Sequence, residues 1–197
     1  MNSAVLFDLD DTLHDRAGSL RSFLVDQYQR SFAGRVDQEI FVTRFMQLDA
    51  HGSLSKAALY PYLLAEFGIG DLSAATLAAD YGERFHEHAR PMEGALDLLH
   101  ALRSDGTRLG VVTNGWTDFQ HRTIDAIGIR DAVDVVLISQ AENLRKPDAR
   151  LFHRAAGHLD IRPDKCIFVG DNPEADVLGA EAAGMRAIWL RRGMEWP

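Results

Sequence analysis

The chain has 197 residues, 46% of them hydrophobic, and a formal net charge of −8 with histidines neutral. That length suits one good-sized domain, or a core carrying an inserted module. The acidic balance argues against non-specific binding to nucleic acid or to an anionic membrane, and leaves room for a local cationic pocket. Cys166 is the single cysteine, so an intramolecular disulfide is impossible. Its setting, Lys165-Cys166-Ile167-Phe168-Val169, reads as a strand with a plain core cysteine. The residues before Asp8 lack the basic and apolar segments of a secretory signal. No apolar run approaches the ~20 residues of a membrane span. A cytoplasmic location is therefore expected.

The first element is a short apolar run, Ala4-Val5-Leu6-Phe7, which predicts a buried strand over 4–8. It ends in Asp8-Leu9-Asp10-Asp11-Thr12. Carboxylates crowded beside an apolar strand repel one another and resist burial, and a divalent cation with hard oxygen ligands would offset that cost. Alternate residues of an extended segment point the same way, so Asp8 and Asp10 can face one small volume. One would be able to attack while the other moves protons.

Segments 15–33, 38–49, 54–67 and 73–89 then carry helical apolar spacing, as in Leu20, Phe23, Leu24 and Tyr28, or Leu59, Tyr62, Leu63 and Phe67. Pro91-Met92-Glu93-Gly94 reads as a return hinge. The expected organisation is a core from 1–14 and 92–197, interrupted by a helical cap domain over 15–91. An insert leaving the carboxyl edge of a parallel sheet is placed to cover a ligand there.

Beyond the insert, Leu96, Leu98, Leu99 and Leu102 mark a helix stopping near Gly106. A strand is expected over 108–113. Thr117-Asp118-Phe119-Gln120 fits a capping box, with Gly128 where that helix would end. Further strands are expected over 133–139, 165–170 and 186–191. Leu151, Phe152, Ala155, Ala156 and Leu159 give a helix between two of them, and Asn172-Pro173 forms an N-cap and N1 pair with Gly184 as its stop. Strands alternating with helices define an α/β fold, a Rossmann-like three-layer core with a parallel sheet of about five strands plus the all-helical cap.

Each strand ends in a polar group: Asp8 and Asp10, then Thr113-Asn114-Gly115, then Arg145-Lys146-Pro147-Asp148, then Gly170-Asp171-Asn172-Pro173-Glu174-Ala175-Asp176. In a parallel sheet all four sets meet at one edge. Thr113 offers a hydroxyl, and Gly115 allows close backbone approach to an anion. Lys146 supplies a compact positive charge for a phosphate or for crowded aspartates. Asp171 brings another hard oxygen ligand, and Asp176 can hold Lys146 or a metal-bound water.

With these groups in this order, the chain resembles the haloacid dehalogenase superfamily, in the branch with a helical cap after the first motif. The resemblance covers nearly the whole chain. It rests on Asp8-Leu9-Asp10-Asp11-Thr12, on Thr113-Asn114, on Lys146 with Pro147-Asp148, and on Gly170-Asp171 with Asp176. Gly179, Ala180 and Ala183-Gly184 fit the helix that usually follows. The resemblance implies a magnesium ion held by the Asp8 carboxylate, the Asp10 main-chain carbonyl and Asp171. It implies Asp8 as nucleophile and Asp10 as general acid and base, with phosphoryl oxygens held by Lys146, Thr113 and the main chain around Asn114 and Gly115. The expected reaction is hydrolysis of a small phosphorylated metabolite through an aspartyl phosphate.

Within the family, dehalogenases lack the second aspartate and the metal, whereas this chain has Asp10 and Asp171. A phosphomutase stays open, and a catalytically silent binding protein on the same fold is the reading from another class. A phosphonatase would need a Schiff-base lysine in the cap, and the only lysine there, Lys56, has neighbours that do not single it out. Candidates for substrate choice are His14, Arg16 and Trp116, with Arg21, Arg44, His51, Tyr60, Tyr62 and Arg84 behind them. His86 and His88 are spaced i, i+2 and do not share a helix face. Family members often continue beyond the fifth strand, where this sequence has Arg191–Pro197. The oligomeric state is not encoded legibly.

Overall fold

The structure is a computed structural model that describes residues 3–193 and 195–197. The chain divides into two compact units, Met1–Asp15 with Arg90–Pro197, and Arg16–Ala89.

In the first unit, the apolar runs form β1 (Ala4–Phe7), β2 (Arg108–Thr113), β3 (Val135–Ile138), β4 (Cys166–Gly170) and β5 (Arg186–Trp189). They make a five-stranded parallel sheet in the order β3-β2-β1-β4-β5. β1 is central, with Phe7 opposite Val111 of β2 and Val169 of β4. The chain runs outward through β2 and β3, then returns to place β4 on the other side of β1. The carboxyl ends of β1 and β4 therefore bound a topological switch point, the position where open α/β sheets bind ligands. Most strands are shorter than their apolar runs. β1 stops one residue before Asp8, although the Asp8 N–H still donates to Val169 O at 2.9 Å.

One face of the sheet packs on the helix Ala149–His158, through Leu151, Phe152, Ala155 and Ala156. Asp148 caps that helix, its carboxylate accepting from the Arg150 N–H. Phe152 meets Phe168 of β4 edge-on at 5.0 Å between ring centroids. After β4, Asn172 caps the next turn as its sequence suggests, accepting from the N–H groups of Glu174 and Ala175. That turn is π-helical over Pro173–Leu178 before it tightens at Gly179–Ala182.

The second unit is all helical: α1 (Arg16–Gln27), α2 (Gln38–Asp49), α3 (Lys56–Glu66) and α4 (Ala74–Arg84). Asp37, Ser55 and Ser73 cap the last three. The apolar spacing over 15–33 is not one continuous helix, because α1 gives way to a π turn at Tyr28–Phe32. The wider turn accompanies burial of Phe32, whose ring sits 4.3 Å from that of Phe41. The 73–89 segment likewise tightens into a 3-10 turn at Phe85–His88. Phe23, Phe41, Phe45, Tyr60 and Phe85 complete this unit's core. Tyr60 donates to Gln27 Oε1 at 2.7 Å and is core packing.

Asp49 is buried in this unit and shared by Arg16 and Lys56. Burial alone would raise the Asp49 pKa, but the two cations hold it below the usual carboxylate range. Lys56, whose neighbours in sequence did not mark it, also lies 4.8 Å from the Tyr81 ring centroid. No helix among the described residues is long and apolar enough to cross a membrane.

Candidate active site

Asp8 follows the last residue of the central strand and is buried. Lys146 reaches it from the segment after β3, its Nζ donating to Asp8 Oδ1 at 2.6 Å and to Asp176 Oδ1 at 2.7 Å. Asp176 is held in turn by the Asn172 N–H, which donates to its second oxygen at 3.0 Å. Gly170 is required for this arrangement. A Cβ there would fall 2.3 Å from Asp176 Oδ2, so any side chain would push Asp176 off Lys146.

One buried ammonium thus serves two buried carboxylates, a deficit of positive charge. Its electrostatic signature is clear at each group. Burial, followed by repulsion from Asp176 and Asp10 and opposed by Lys146, leaves the Asp8 carboxyl well above the ordinary range. Burial lowers the Lys146 pKa, but attraction to Asp8 and Asp176 outweighs it and holds the ammonium above its usual value. Asp171, at the end of β4, is pushed up to about 6 by burial and by the charges of Asp176 and Asp11. Its main chain is fixed from β5, where Trp189 Nε1 donates to Asp171 O at 2.8 Å.

Oxygens of Asp8, Asp171 and Asp176 all lie within 4.8 Å of one another. This donor set is entirely hard oxygen and carries more negative charge than Lys146 neutralises. It fits a hard divalent cation and does not suit a soft one. Asp176 holds Lys146 as the sequence suggests, and its carboxylate also lies in the cluster with Asp8 and Asp171.

Asp10 is gripped from two directions. His14 Nδ1 lies 2.7 Å from Asp10 Oδ1, and Gln120 Nε2 donates to Oδ2 at 3.1 Å. His14, a candidate for substrate choice, is 0% exposed and lies against this carboxylate. The loop between them is tight: Asp11 takes a left-handed φ of 56° and its carbonyl accepts from Arg192 Nε at 2.9 Å.

The second motif closes β2. Thr113 is buried, with its hydroxyl beside Gln120. The Asn114 side chain is committed to the main chain of Lys146, donating to its carbonyl at 3.1 Å and accepting from its N–H at 3.0 Å. It locks the lysine segment in place and is not free for an anion. The Gly115 N–H donates to Ser139 Oγ at 3.0 Å and is likewise taken. The capping box at Thr117 does not form. Trp116 occupies the N-cap without a side-chain bond, and Gln140 Oε1 accepts from the Thr117 N–H at 2.7 Å. Gln120, read as the box's distal member, points into the core instead.

The remaining substrate candidates divide between the two units. Trp116 is 72% exposed at the edge of the second motif, and Arg16 belongs to the helical unit with Asp49 as its partner. Arg21, Arg44 and Arg84 pair with Glu39, Glu66 and Glu87 on that unit's surface. Tyr62 is largely exposed, and His51 holds a left-handed turn after α2.

Asp8, Lys146 and the acidic cluster thus lie together at one edge of a parallel α/β core. The chain belongs to the haloacid dehalogenase-like hydrolases, whose family model matches residues 5–190. It is 28% identical over 204 residues to a glyceraldehyde 3-phosphate phosphatase of Methanopyrus kandleri, covering 98% of this chain and 85% of that one. A phosphoserine phosphatase of Thermus thermophilus is 40% identical over 97 residues, 49% of this chain and 39% of the other. Among solved structures, a HAD phosphatase from Thermococcus onnurineus superposes with a TM-score of 0.66 at 26% identity, covering 100% of this chain and 89% of that one.

Proposed function

We infer that the chain is a Mg²⁺-dependent phosphatase acting on a small phosphate monoester, with Asp8 as nucleophile and Asp10 as general acid and base. The observation that carries this reading is the charge deficit around Asp8, where one buried ammonium, bonded to Asp8 and Asp176, faces a cluster of three carboxylates completed by Asp171. Family membership and phosphatase relatives acting on different small phosphate esters support the substrate class.

In the proposed reaction an Asp8 oxygen attacks phosphorus in line, and the bond from phosphorus to the ester oxygen breaks. Asp10 delivers a proton to the departing oxygen. Asp10 then accepts a proton from water as that water attacks the aspartyl phosphate, which frees phosphate and restores Asp8. Lys146 holds Asp8 in place and partly offsets the effect of burial on its carboxyl, and a bound cation would complete that offset. The Thr113 hydroxyl offers a donor to the phosphoryl oxygens. Asp8 and Asp171, with the Asp10 carbonyl, would hold Mg²⁺, and Asp176 stands near enough to bind it directly or through water. A bound Mg²⁺ neutralises charge on the nucleophile and the phosphoryl group. The helical unit over 16–89 is assigned the part of the cap in this scheme.

The test is phosphate release from p-nitrophenyl phosphate and a panel of metabolite phosphates, with Mg²⁺ and with EDTA. Turnover that requires Mg²⁺ supports the reading, and folded protein inert on every ester counts against it. Metal binding should also follow the protonation of Asp171. Its carboxyl is raised to about 6, and a proton competes with the cation for the same oxygens. Mg²⁺ affinity, measured calorimetrically, should hold above that pH. It should then fall toward about tenfold per pH unit below it. Affinity that is flat from pH 7 to pH 5 would remove Asp171 from the ligand set.

A further inference from the structure

Gln120 lies on the first turn of the helix Thr117–Ala126 and is 2% exposed. Its amide nitrogen donates to Asp10 Oδ2 at 3.1 Å and to Thr113 Oγ1 at 3.0 Å, with Asn114 O further away at 3.4 Å. A primary amide has two N–H donors, so the two shorter bonds use both. The opposite orientation would set the amide oxygen against a carboxylate, acceptor to acceptor, so chemistry fixes which end faces Asp10. The carbonyl end, Oε1, is buried with no hydrogen-bond partner. Burying an unmatched carbonyl is costly, and the orientation persists for what the nitrogen end holds. The neighbouring chain makes room for it, since a Cβ on Gly115 would fall 2.7 Å from Gln120 Cγ and 2.9 Å from Nε2.

We propose that Gln120 is a positioning residue that joins the proton-transfer carboxylate Asp10 to the phosphate-facing hydroxyl of Thr113, an inference that rests on the phosphatase reading. Its two bonds have different consequences. By donating to Thr113 Oγ1, it fills an acceptor site on that hydroxyl and leaves the hydroxyl proton for a phosphoryl oxygen. By donating to Asp10 Oδ2 while His14 holds Oδ1, it fixes the carboxyl plane at the angle from which a proton reaches the leaving oxygen. Proton delivery is worth most when the leaving group is poor, and least when it departs readily as an anion.

The test compares phenyl phosphate, the poorer leaving group, with p-nitrophenyl phosphate, nearly the same shape. Both kcat/KM values are measured in Mg²⁺ for wild type, Gln120→Leu and Gln120→Met. We expect a loss of roughly 10- to 100-fold on phenyl phosphate and of less than about 5-fold on p-nitrophenyl phosphate. The ratio is taken on one preparation, so a partly unfolded variant lowers both values equally and leaves it unchanged. The second variant keeps the side-chain length if the first packs poorly. An unchanged ratio in an active enzyme overturns the positioning role and leaves the phosphatase reading standing. A wild type that hydrolyses neither ester overturns the reading and this proposal with it.

Discussion

Asp8→Asn protein should release phosphate at least about 10³-fold more slowly than wild type while melting no lower in EDTA. The activity loss follows because an amide oxygen is not a nucleophile toward phosphorus. The stability result follows from the sign of the Asp8 shift. Burial leads in raising that carboxyl well above its ordinary pKa, with Asp176 and Asp10 adding to it against Lys146. A raised carboxyl contributes stability while protonated, and the contribution disappears as pH rises through the folded pKa. The neutral isostere keeps the shape and removes that ionisation cost, while Lys146 retains Asp176 at 2.7 Å. In Mg²⁺ the order should narrow or reverse, because wild type gains more from the cation. Thermal melts of both proteins in EDTA and in Mg²⁺ check this. A variant that melts well below wild type in EDTA would mean that Asp8 is held mainly for stability.

Lys146→Met has the opposite character. It removes the cation shared by Asp8 and Asp176 and leaves both carboxylates buried without it. Breaking a buried ion pair on one side typically costs about 3–5 kcal/mol. For a chain of this size that corresponds to a fall of roughly 10 °C in Tm. Activity should fall as well, since Asp8 then loses the ammonium that positions it and favours its ionised form. Two further outcomes identify the cause. Mg²⁺ should restore more Tm to this variant than to wild type, because it supplies the missing charge. Adding Asp176→Asn should recover part of the loss. A variant that melts with wild type in EDTA would contradict the charge accounting of the site.

The contrast between these two changes explains why some of the site was legible in the sequence. Asp8, Thr113 and Asp171 stand at the ends of apolar runs, and Lys146 and Asp176 in the segments after such runs, and a parallel sheet brings these positions to one edge whatever the details of packing. The strands were legible for the same reason, as was the cap at Asn172, whose bonds are local. Groups whose roles depend on a fold in three dimensions were not. Gln120 matched a local capping pattern, and only the approach of its helix to β1 and β2 turns it toward Asp10. Asn114 was read for its main chain, and only the approach of the segment carrying Lys146 gives its side-chain amide a partner. His14 sits four residues from Asp10 in a loop with a left-handed residue, Asp11, so no helical spacing announced their contact. In the helical unit, Lys56 and Arg16 meet Asp49 across 7 and 33 residues of sequence, a distance over which apolar periodicity says nothing about charged partners. The π turn at Tyr28–Phe32 was hidden because its residues continue the apolar spacing of α1.

The most direct test of the account is to catch the phosphoryl group on the enzyme. Wild-type protein would be mixed with a turned-over substrate and Mg²⁺, quenched in acid within milliseconds, and treated with borohydride, which reduces an acyl phosphate to an alcohol. Peptide mass spectrometry then reads the site. The account predicts homoserine at position 8, dependent on both substrate and Mg²⁺. Rapid phosphate release with position 8 always recovered as aspartate, or with the reduced residue elsewhere, would contradict Asp8 as the nucleophile.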